Sequence, residues 1–416
     1  MRAHVATAWL ATVTAAASAN LALAGEPGFA RSVETDHAGA ATFVKGALPL
    51  LPPAVDLTRI RIGSRTVTAR AHDGSAAELT LEPRLQEAAR RLLARARPVE
   101  GAIVALDVRT GRIVAWAESR SGVIAHTQAP AASVFKLVTT AALFEHAAVA
   151  PGDDVCIAGG ERGIERAHLE APPRRHALCR PLSEALGHSR NAAFAQLATR
   201  HLLRDDLLRM GERIGFNQSV PFDWPAPLGS LTVPYNDLEF ARTASGFRGS
   251  TLSPLGAAYI AATIARGGVP LRLRLVSRAS HFEAPPFPEP QSRVLSATTA
   301  WRLTRMMEVT VHSGTARAAF TDESGKNLLP GVRVAGKTGT LRPGASTTTS
   351  SWFVGFAPSR DPEIAISVLL NNGEVWHNRA AEVARDVLRA YFRQPSPRVA
   401  VTSSRASPSA VDEALQ

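Results

Sequence analysis

The fold is decided by residues 331–370, which read GVRVAGKTGTLRPGASTTTSSWFVGFAPSRDPEIAISVLL. Three strand-like runs, 331–341, 351–356 and 364–370, follow one another within this stretch, separated by polar or Pro/Gly-containing segments. Residues 379–392 come next and have the apolar spacing of an amphipathic helix. This end of the chain therefore predicts a sheet closed by a helix.

The same pattern begins on the amino-terminal side. A helix is predicted over 83–96, and it is followed by a β-hairpin whose strands are 103–108 and 113–116. The residues between the two strand regions favour helices, at 133–146, at 181–200 as two short helices around a turn, and at 255–265. We expect an α+β fold in which helices cover an antiparallel sheet and a helical subdomain is inserted midway.

Composition shifts predict four regions along the chain. Residues 1–24 are rich in Ala, Thr and Val and end in the small-x-small pattern of a secretory cleavage site, with an uncleaved anchor as the alternative. Residues 25–75 are expected to form a small strand-bearing region or spacer. Residues 76–394 are expected to form the main domain, and the Pro/Ser/Ala-rich residues 395–416 a disordered tail.

The charge of the chain is positive, with a formal net charge of +11 over 416 residues. Arginines are dispersed with few aromatic neighbours, which argues against a nucleic-acid-binding surface. Only four of the 47 basic residues are lysines: Lys45, Lys136, Lys326 and Lys337. Because lysine, unlike arginine, loses its proton when its pKa is lowered, these rare lysines are candidates for acid–base chemistry.

The two cysteines, Cys156 and Cys179, lie in one loop-like stretch rich in Gly, Arg and Pro. Export predicts a disulfide between them. A zinc site that adds His168 and His176 is the alternative, but these spacings match no standard finger, and two free thiols are the third interpretation. We predict no metal and no cofactor.

The first chemical motif is Ser133-Val134-Phe135-Lys136. A serine and a lysine three residues apart share one face of a helix, and the serine would lie in its first turn. A desolvated lysine beside a second cation is neutral enough to take the proton of a serine hydroxyl. This spacing predicts an activated serine nucleophile.

Two further motifs follow in order. Ser189-Arg190-Asn191 lies at the turn between two predicted helices, where short polar side chains point into a cleft, although a plain helix cap is the simpler interpretation. Lys337-Thr338-Gly339-Thr340 lies on a strand, where the glycine indicates close approach of another backbone or a ligand and the lysine suits a substrate carboxylate.

Together the three motifs, on a helix, a turn and a strand, resemble those of the penicillin-binding proteins, the acyl-serine D,D-transpeptidases of peptidoglycan synthesis. Five other stretches also resemble the transpeptidase domain of that family: LTLEPRLQEAA (79–89), GAIVALDVRTGRIVA (101–115), SPLGAAYIAATIARGG (253–268), HSGTARAAF (312–320) and SWFVGFAP (351–358).

The resemblance implies a role for each motif. Ser133 would attack the penultimate D-Ala of a stem peptide, Lys136 would take its proton, and Ser189 would pass a proton to the leaving amine. The backbone N–H groups of Ser133 and Thr340 would form the oxyanion hole.

Substrate binding is implied for the remaining motif positions. Asn191 would bind the substrate amide and orient Lys136. The stretch Lys337, Thr338, Gly339 and Thr340 would hold the terminal carboxylate.

Several rival functions stay open. A serine β-lactamase shares this fold but must also deacylate with water, for which some of these enzymes use a catalytic Glu between the second and third motifs, where Glu212 and Glu239 lie. A D,D-carboxypeptidase differs only in using water as acceptor. An α/β-hydrolase elbow at residues 187–191 would need a preceding strand, whereas PLSEAL reads as helical. An inactive wall-binding module would be expected to have lost Ser133 or Lys337.

The resemblance also implies partners and a location. The expected ligands are peptidoglycan stem peptides and β-lactams, with cell-wall, divisome or elongasome proteins as further partners. The expected location is the periplasm or the outer face of the inner membrane of a bacterium. The sequence does not specify the acceptor amine or the oligomeric state.

Overall fold

A computed structural model describes residues 52–285, 291–344 and 346–393 of the chain. The predicted signal at 1–24 and the predicted tail at 395–416 lie outside the described residues, as do residues 25–51 of the predicted region 25–75. The described residues belong to one compact unit.

The strands follow one another along the chain in a fixed order. They are β1 (Val55–Ile62), β2 (Val67–Ala71), β3 (Ala76–Leu79), β4 (Glu100–Asp107), β5 (Ile113–Glu118), β6 (Ala129–Pro130), β7 (Asp154–Ile157), β8 (Leu178–Pro181), β9 (Thr251–Leu252), β10 (Val276–Ala279), β11 (Phe282–Glu283), β12 (Ala335–Leu341), β13 (Thr349–Ala357) and β14 (Ile364–Asn372).

The helices lie between these strands and after the last of them. They are α1 (Pro83–Ala96), α2 (Val123–His126), α3 (Lys136–His146), α4 (Leu182–Gly187), α5 (Asn191–His201), α6 (Arg204–Ile214), α7 (Asp237–Ala244), α8 (Pro254–Ala265), α9 (Ala297–His312), α10 (Arg317–Phe320) and α11 (Ala380–Phe392). Three 3-10 turns span Ala132–Phe135, Arg166–His168 and Arg174–His176.

The central sheet has the strand order β12-β13-β14-β4-β5, and its strands pair antiparallel throughout. Successive side chains of β4 point to opposite faces: Val104 packs in the core shared with α8, and Ile103 in the core shared with α1 and α11. Both faces are therefore covered by helices, which is why β13 is buried along its whole length. The predicted α+β architecture is confirmed.

The predicted inserted helical subdomain lies between β5 and β12 in the chain. Its helix α3 packs against α5, α6 and α9. Phe135 and Phe216 meet edge to face there with ring centroids 5.6 Å apart, and both are buried. This packing fixes the start of α3 against the neighbouring helices.

A second sheet has the order β1-β2-β3-β10-β11. The predicted boundary between residues 75 and 76 falls in the turn between β2 and β3, whose residues Arg70 and Ala76 are paired. Strand β10, nearly 200 residues further along the chain, completes the pairing of β3 through Val276 and Leu79.

Within the described ranges, every helix is too short or too polar to span a lipid bilayer.

Candidate active site

The first motif lies at the start of the buried helix α3. Ser133 is in the 3-10 turn Ala132–Phe135, and the α-helix begins at Lys136, so the predicted helical turn around the serine is tighter than an α-helix. Lys136 is completely buried, and its Nζ donates to Ser133 Oγ at 2.6 Å. The three-residue spacing therefore brings the amine onto the hydroxyl.

The second motif forms the turn between α4 and α5, as predicted. Ser189 has a φ of +59°, a left-handed conformation that is uncommon for a residue other than glycine, and it presents its hydroxyl to both lysines. Lys136 Nζ donates to Ser189 Oγ at 3.3 Å and Lys337 Nζ donates to it at 3.0 Å. The hydroxyl thus joins the first motif to the third.

Asn191, the first residue of α5, is held on both sides. Its Oδ1 accepts from Lys136 Nζ at 2.7 Å, and its Nδ2 donates to the backbone carbonyls of Gly160 and Glu161 at 2.9 and 3.0 Å. The Asn191 side chain therefore links Lys136 Nζ to the loop at residues 160–161, so the position of the amine depends on that of the loop. The sequence contains no signal for these two carbonyl contacts, because a main-chain acceptor leaves no residue-type signature.

The third motif lies on β12, an edge strand of the central sheet. Lys337 is fully buried and also donates to its neighbour's carbonyl, Thr338 O, at 2.9 Å. Gly339 faces the 3-10 turn of Ser133: a Cβ there would lie 3.2 Å from Val134 Cγ2 and 3.3 Å from Ala132 Cβ. A side chain there would be tightly packed against the turn, in agreement with the close approach that a glycine in a strand indicates.

Burial acts on both lysines. It lowers the pKa of Lys136 well below its usual value of 10.5, and the charge of the nearby Lys337 lowers it further. Burial lowers the pKa of Lys337 to about 7. The lowered pKa of Lys136 favours its neutral form, which is the state that a general base requires.

A cavity of about 550 Å³ opens onto these motifs. Of the predicted site residues it contains Ser133, Ser189, Asn191, Thr338 and Thr340, while the two lysines lie buried behind it. The rest of its lining is Ala132, Glu161, Ser245, Gly246, Phe247, Thr315, Ala318, Ala319, Leu341, Ser351, Trp352, Trp376, Arg379, Ala381 and Glu382. A larger groove of about 850 Å³ along α9 contains none of the predicted residues.

Sequence reasoning missed Thr315 as a site residue. Its hydroxyl lies 2.5 Å from the Thr338 hydroxyl, and its backbone N–H donates to Gly187 O at 3.1 Å, two residues before Ser189. Thr315 therefore connects the turn of the second motif to the strand of the third. Its stretch HSGTARAAF resembles the family, but no spacing to the other motifs points to contact with them.

Cys156 and Cys179 form a disulfide between β7 and β8, where the two residues are also paired across the ladder. Both sulfurs are therefore unavailable to the alternative zinc site. Within the described ranges, no group of three or more His, Cys, Asp and Glu side chains is placed to hold a metal ion.

The structure argues against two rival functions, an α/β-hydrolase and a β-lactamase that uses a glutamate base. The residues before Ser189 form helix α4, so the strand that a hydrolase elbow needs is not there. A β-lactamase with a glutamate base would need that carboxylate in the cavity, but Glu239 pairs with Arg242 Nη1 at 2.6 Å, and Glu212, Glu239 and Glu323 all lie outside the cavity lining.

Comparison with known proteins gives a consistent result. The sequence profile described as the penicillin binding protein transpeptidase domain matches residues 101–392. The peptidoglycan D,D-transpeptidase PbpA of Mycobacterium tuberculosis is 29% identical over 355 residues, which cover 74% of this chain and 69% of that protein.

Solved structures agree. The crystal structure of PBPA from Mycobacterium tuberculosis has a TM-score of 0.64 at 26% identity and covers 77% of this chain and 83% of its own. The penicillin G acyl-enzyme complex of penicillin-binding protein A from the same organism has a TM-score of 0.61 at 25% identity, with 76% and 80% covered.

Proposed function

The chain belongs to the family of penicillin-binding protein transpeptidases, and from that premise we propose that Ser133 carries the acyl group when this D,D-transpeptidase cross-links peptidoglycan. The observation that supports the assignment is the 2.6 Å contact between Lys136 Nζ and Ser133 Oγ, with the lysine fully buried. The donor is a stem peptide that ends in D-Ala-D-Ala.

The first step is acylation. Ser133 Oγ bonds to the carbonyl carbon of the penultimate D-Ala while its proton moves to the neutral Lys136 amine. The amide C–N bond to the terminal D-Ala then breaks. Ser189, which contacts both lysines, relays a proton to the departing nitrogen, so free D-Ala leaves and an ester remains on Ser133.

The terminal carboxylate of the donor is held by the third motif. Lys337 supplies positive charge behind the cavity, and the hydroxyls of Thr338 and Thr340 supply hydrogen bonds within it. A bound carboxylate favours the charged form of Lys337, whose pKa is about 7 in the free site.

Charge that develops on the attacked carbonyl oxygen is stabilised by main-chain N–H groups. Ser133 lies at the amino-terminal end of α3, and β12 is an edge strand with one row of backbone groups that β13 does not use. The N–H groups of Ser133 and Thr340 are therefore assigned to the oxyanion hole.

The second step transfers the acyl group. An amine of a second stem peptide attacks the ester carbonyl, its surplus proton moves to Lys136, and Ser133 regains its proton as the ester breaks. The product is a peptide cross-link. Water in place of the amine would give carboxypeptidase activity, and rapid attack by water on a penicilloyl ester would give β-lactamase activity.

The partner and location follow from this chemistry. Peptidoglycan stem peptides are the substrate and β-lactams are covalent inhibitors. We place the protein outside the cytoplasm, because its substrate is there, the Cys156–Cys179 disulfide suits an oxidising compartment, and residues 1–24 have the composition of a secretory signal. Divisome or elongasome proteins are proposed as further partners on family membership alone.

The test is labelling by a fluorescent penicillin. The wild-type protein is expected to hold the label for hours, and Ser133→Ala is expected to take up none. Ser183→Ala, a matched change on α4 outside the cavity, should label like the wild type. Loss of the wild-type label within seconds would indicate a β-lactamase, and equal labelling of wild type and Ser133→Ala would overturn the nucleophile assignment.

A second assay separates the acceptors. D-Ala release from a peptide ending in D-Ala-D-Ala is measured with and without an added D-amino acid. A transpeptidase incorporates the D-amino acid into the peptide, whereas product that contains only the shortened peptide indicates a carboxypeptidase.

A further inference from the structure

The substrate cavity continues beyond the three motifs to the connection between β14 and α11. Trp376 and Arg379 of this connection line the same cavity as Ser133. Arg379 is exposed and immediately precedes α11, whose first residue, Ala380, donates its N–H to Ser351 Oγ at 3.3 Å. The backbone from which the Arg379 side chain projects is thus anchored beside β13 at one end of the cavity.

The position of Arg379 along β12 can be read from the strand register. Ser351 pairs with Thr340, whereas Phe353 pairs with Thr338. Two residues of a strand span about 7 Å, so the backbone at Arg379 and Ala380 lies beside the Thr340 end of β12, away from Thr338. In the proposed function Lys337 and Thr338 lie at the terminal carboxylate, and the N–H of Thr340 lies at the scissile carbonyl. The substrate portion near Arg379 therefore belongs to the acyl side of the scissile bond.

Arg379 carries a positive charge that lacks an acidic partner. Among the described residues, no carboxylate lies within ion-pair distance of its guanidinium. Glu382 also lines the cavity, but its Oε2 accepts from the Arg379 backbone N–H at 2.8 Å and from Asn378 Nδ2 at 3.4 Å. Glu161 belongs to the Asn191 end, where its carbonyl accepts from that amide. A cation therefore faces the cavity at the Trp376 end.

The neighbouring Trp376 gives this end a defined shape. Its indole Nε1 donates to Gly373 O at 3.2 Å, which ties the side chain to its own loop, and the ring is partly buried. A planar guanidinium in a cavity that also has an aromatic wall suits a carboxylate on a peptide side chain, because the guanidinium can donate two parallel hydrogen bonds to it.

We propose that Arg379 is a specificity-determining residue that binds a second carboxylate of the donor, on the acyl side of the bond that Ser133 attacks. This proposal rests on the proposed function. The substrate class it names is a stem peptide with a free side-chain carboxylate in addition to its C-terminal one, as opposed to the same peptide with that carboxylate amidated.

Two penicillins provide a matched pair of probes. Benzylpenicillin and carbenicillin share one nucleus, and carbenicillin carries one additional carboxylate on the acyl side chain. The measurement is the second-order rate constant for acylation, obtained by competition with the fluorescent penicillin. Arg379→Ala is expected to lower the constant for carbenicillin about five-fold relative to that for benzylpenicillin, and Arg379→Lys is expected to fall between.

Controls separate a carboxylate contact from general damage. Arg360→Ala removes an exposed arginine outside the cavity and should leave both constants unchanged. Added salt should reduce the carbenicillin preference of the wild type and have no effect on that of Arg379→Ala, because the contact is ionic. With peptide donors, the same variant should lose the preference for a free over an amidated side-chain carboxylate.

The outcomes are distinguishable. An equal fall with both penicillins would show that Arg379 only supports the loop, and no change with either would show that it meets no carboxylate; both results overturn the inference. Failure of benzylpenicillin to label the wild type would instead overturn the proposed function.

Discussion

Lys136 and Lys337 donate to the same oxygen, Ser189 Oγ, at 3.3 and 3.0 Å, and both lysines are completely buried. Two charged amines this close to one hydroxyl repel each other in a medium that screens them poorly. The pKa of Lys136 is accordingly lowered by burial and then by Lys337, and burial lowers that of Lys337 to about 7. Burying the pair favours a neutral amine for catalysis and lowers the folding stability.

Lys337→Met is expected to stabilise the protein while it abolishes efficient acylation. In the unfolded chain the lysine titrates near 10.5, but in the folded protein its pKa is about 7, so the unfolded state binds more protons between these values. The destabilisation is full below about pH 7 and fades as the pH rises toward 10.5. We expect the free energy of unfolding at pH 7 to rise by about 2 kcal/mol or more.

Urea denaturation at pH 7 and pH 9 measures this effect. The difference in the free energy of unfolding between Lys337→Met and the wild type should be smaller at pH 9. At that pH the wild-type lysine is neutral in a larger fraction of both the folded and the unfolded protein. Lys326→Met changes an exposed lysine outside the site and should leave the unfolding curve in place. A Lys337→Met protein less stable than the wild type at pH 7 would contradict the assignment of Lys337 as a buried, destabilising cation.

Asn191→Asp is expected to shift the pH dependence of acylation upward. The Asn191 amide oxygen lies 2.7 Å from Lys136 Nζ, and a carboxylate in its place favours the charged amine and raises the pKa of Lys136. Since only the neutral amine takes the serine proton, the acid limb of the rate profile should move to higher pH. Acylation rate constants measured from pH 5 to 9 report the shift.

Asn191→Ala is the uncharged comparison. It removes the hydrogen bond without adding a charge, so the rate should fall by about ten-fold or more. Its acid limb should not follow the upward movement seen with aspartate. Identical limbs for the wild type and Asn191→Asp would show that Lys136 is not the group that titrates.

Much of this architecture could be predicted because it depends on the pattern of apolar and polar residues within short segments. Strand-like runs bounded by polar or Pro/Gly-containing segments indicated β13 and β14, and helical spacing indicated α1 and α11. The turn that carries Ser189 was predictable from two short helical patterns that flank it. Each of these features depends on neighbours within a few residues, which a sequence displays directly.

The unpredicted parts depend on contacts between distant segments. β3 pairs with β10, which lies almost 200 residues further along the chain, and no local pattern specifies that pairing. Thr315 reaches Thr338 across 23 residues through a loop, and Trp376 reaches the cavity because α11 packs on the central sheet. The 3-10 turn at Ser133 packs against β12 at Gly339, and no local pattern of residues specifies that contact.

Gly246→Ala is expected to disrupt the nucleophile through the backbone. Gly246 has a φ of +86°, and a Cβ there would lie 2.0 Å from Ala132 O and 3.2 Å from Ser133 N. The 3-10 turn would have to move, so we expect a loss of about 3 kcal/mol in stability and a larger than ten-fold fall in acylation of the folded fraction. Urea denaturation and penicillin labelling measure the two losses.

Gly74→Ala separates the clash from backbone strain. Gly74 has a similar φ of +84°, but nothing lies within 4 Å of a Cβ built on it. This substitution should cost about 1 kcal/mol and leave acylation intact. Equal effects at the two glycines would mean that the contact with Ala132 does not position Ser133.

Replacing the disulfide is expected to weaken the active site through the loop that it closes. Cys156 and Cys179 are separated by 23 residues, and the loop between them supplies the Gly160 and Glu161 carbonyls that hold Asn191. The double change Cys156→Ser with Cys179→Ser should cost about 3 kcal/mol of stability by loop-closure entropy.

Because Asn191 in turn holds Lys136, acylation of the folded protein should also fall, by about three-fold or more. Penicillin labelling well below the Tm of the variant measures this fall, and a reducing agent should reproduce it in the wild type without affecting the variant. Lower stability with unchanged acylation would show that the β7–β8 ladder alone keeps the two carbonyls on Asn191.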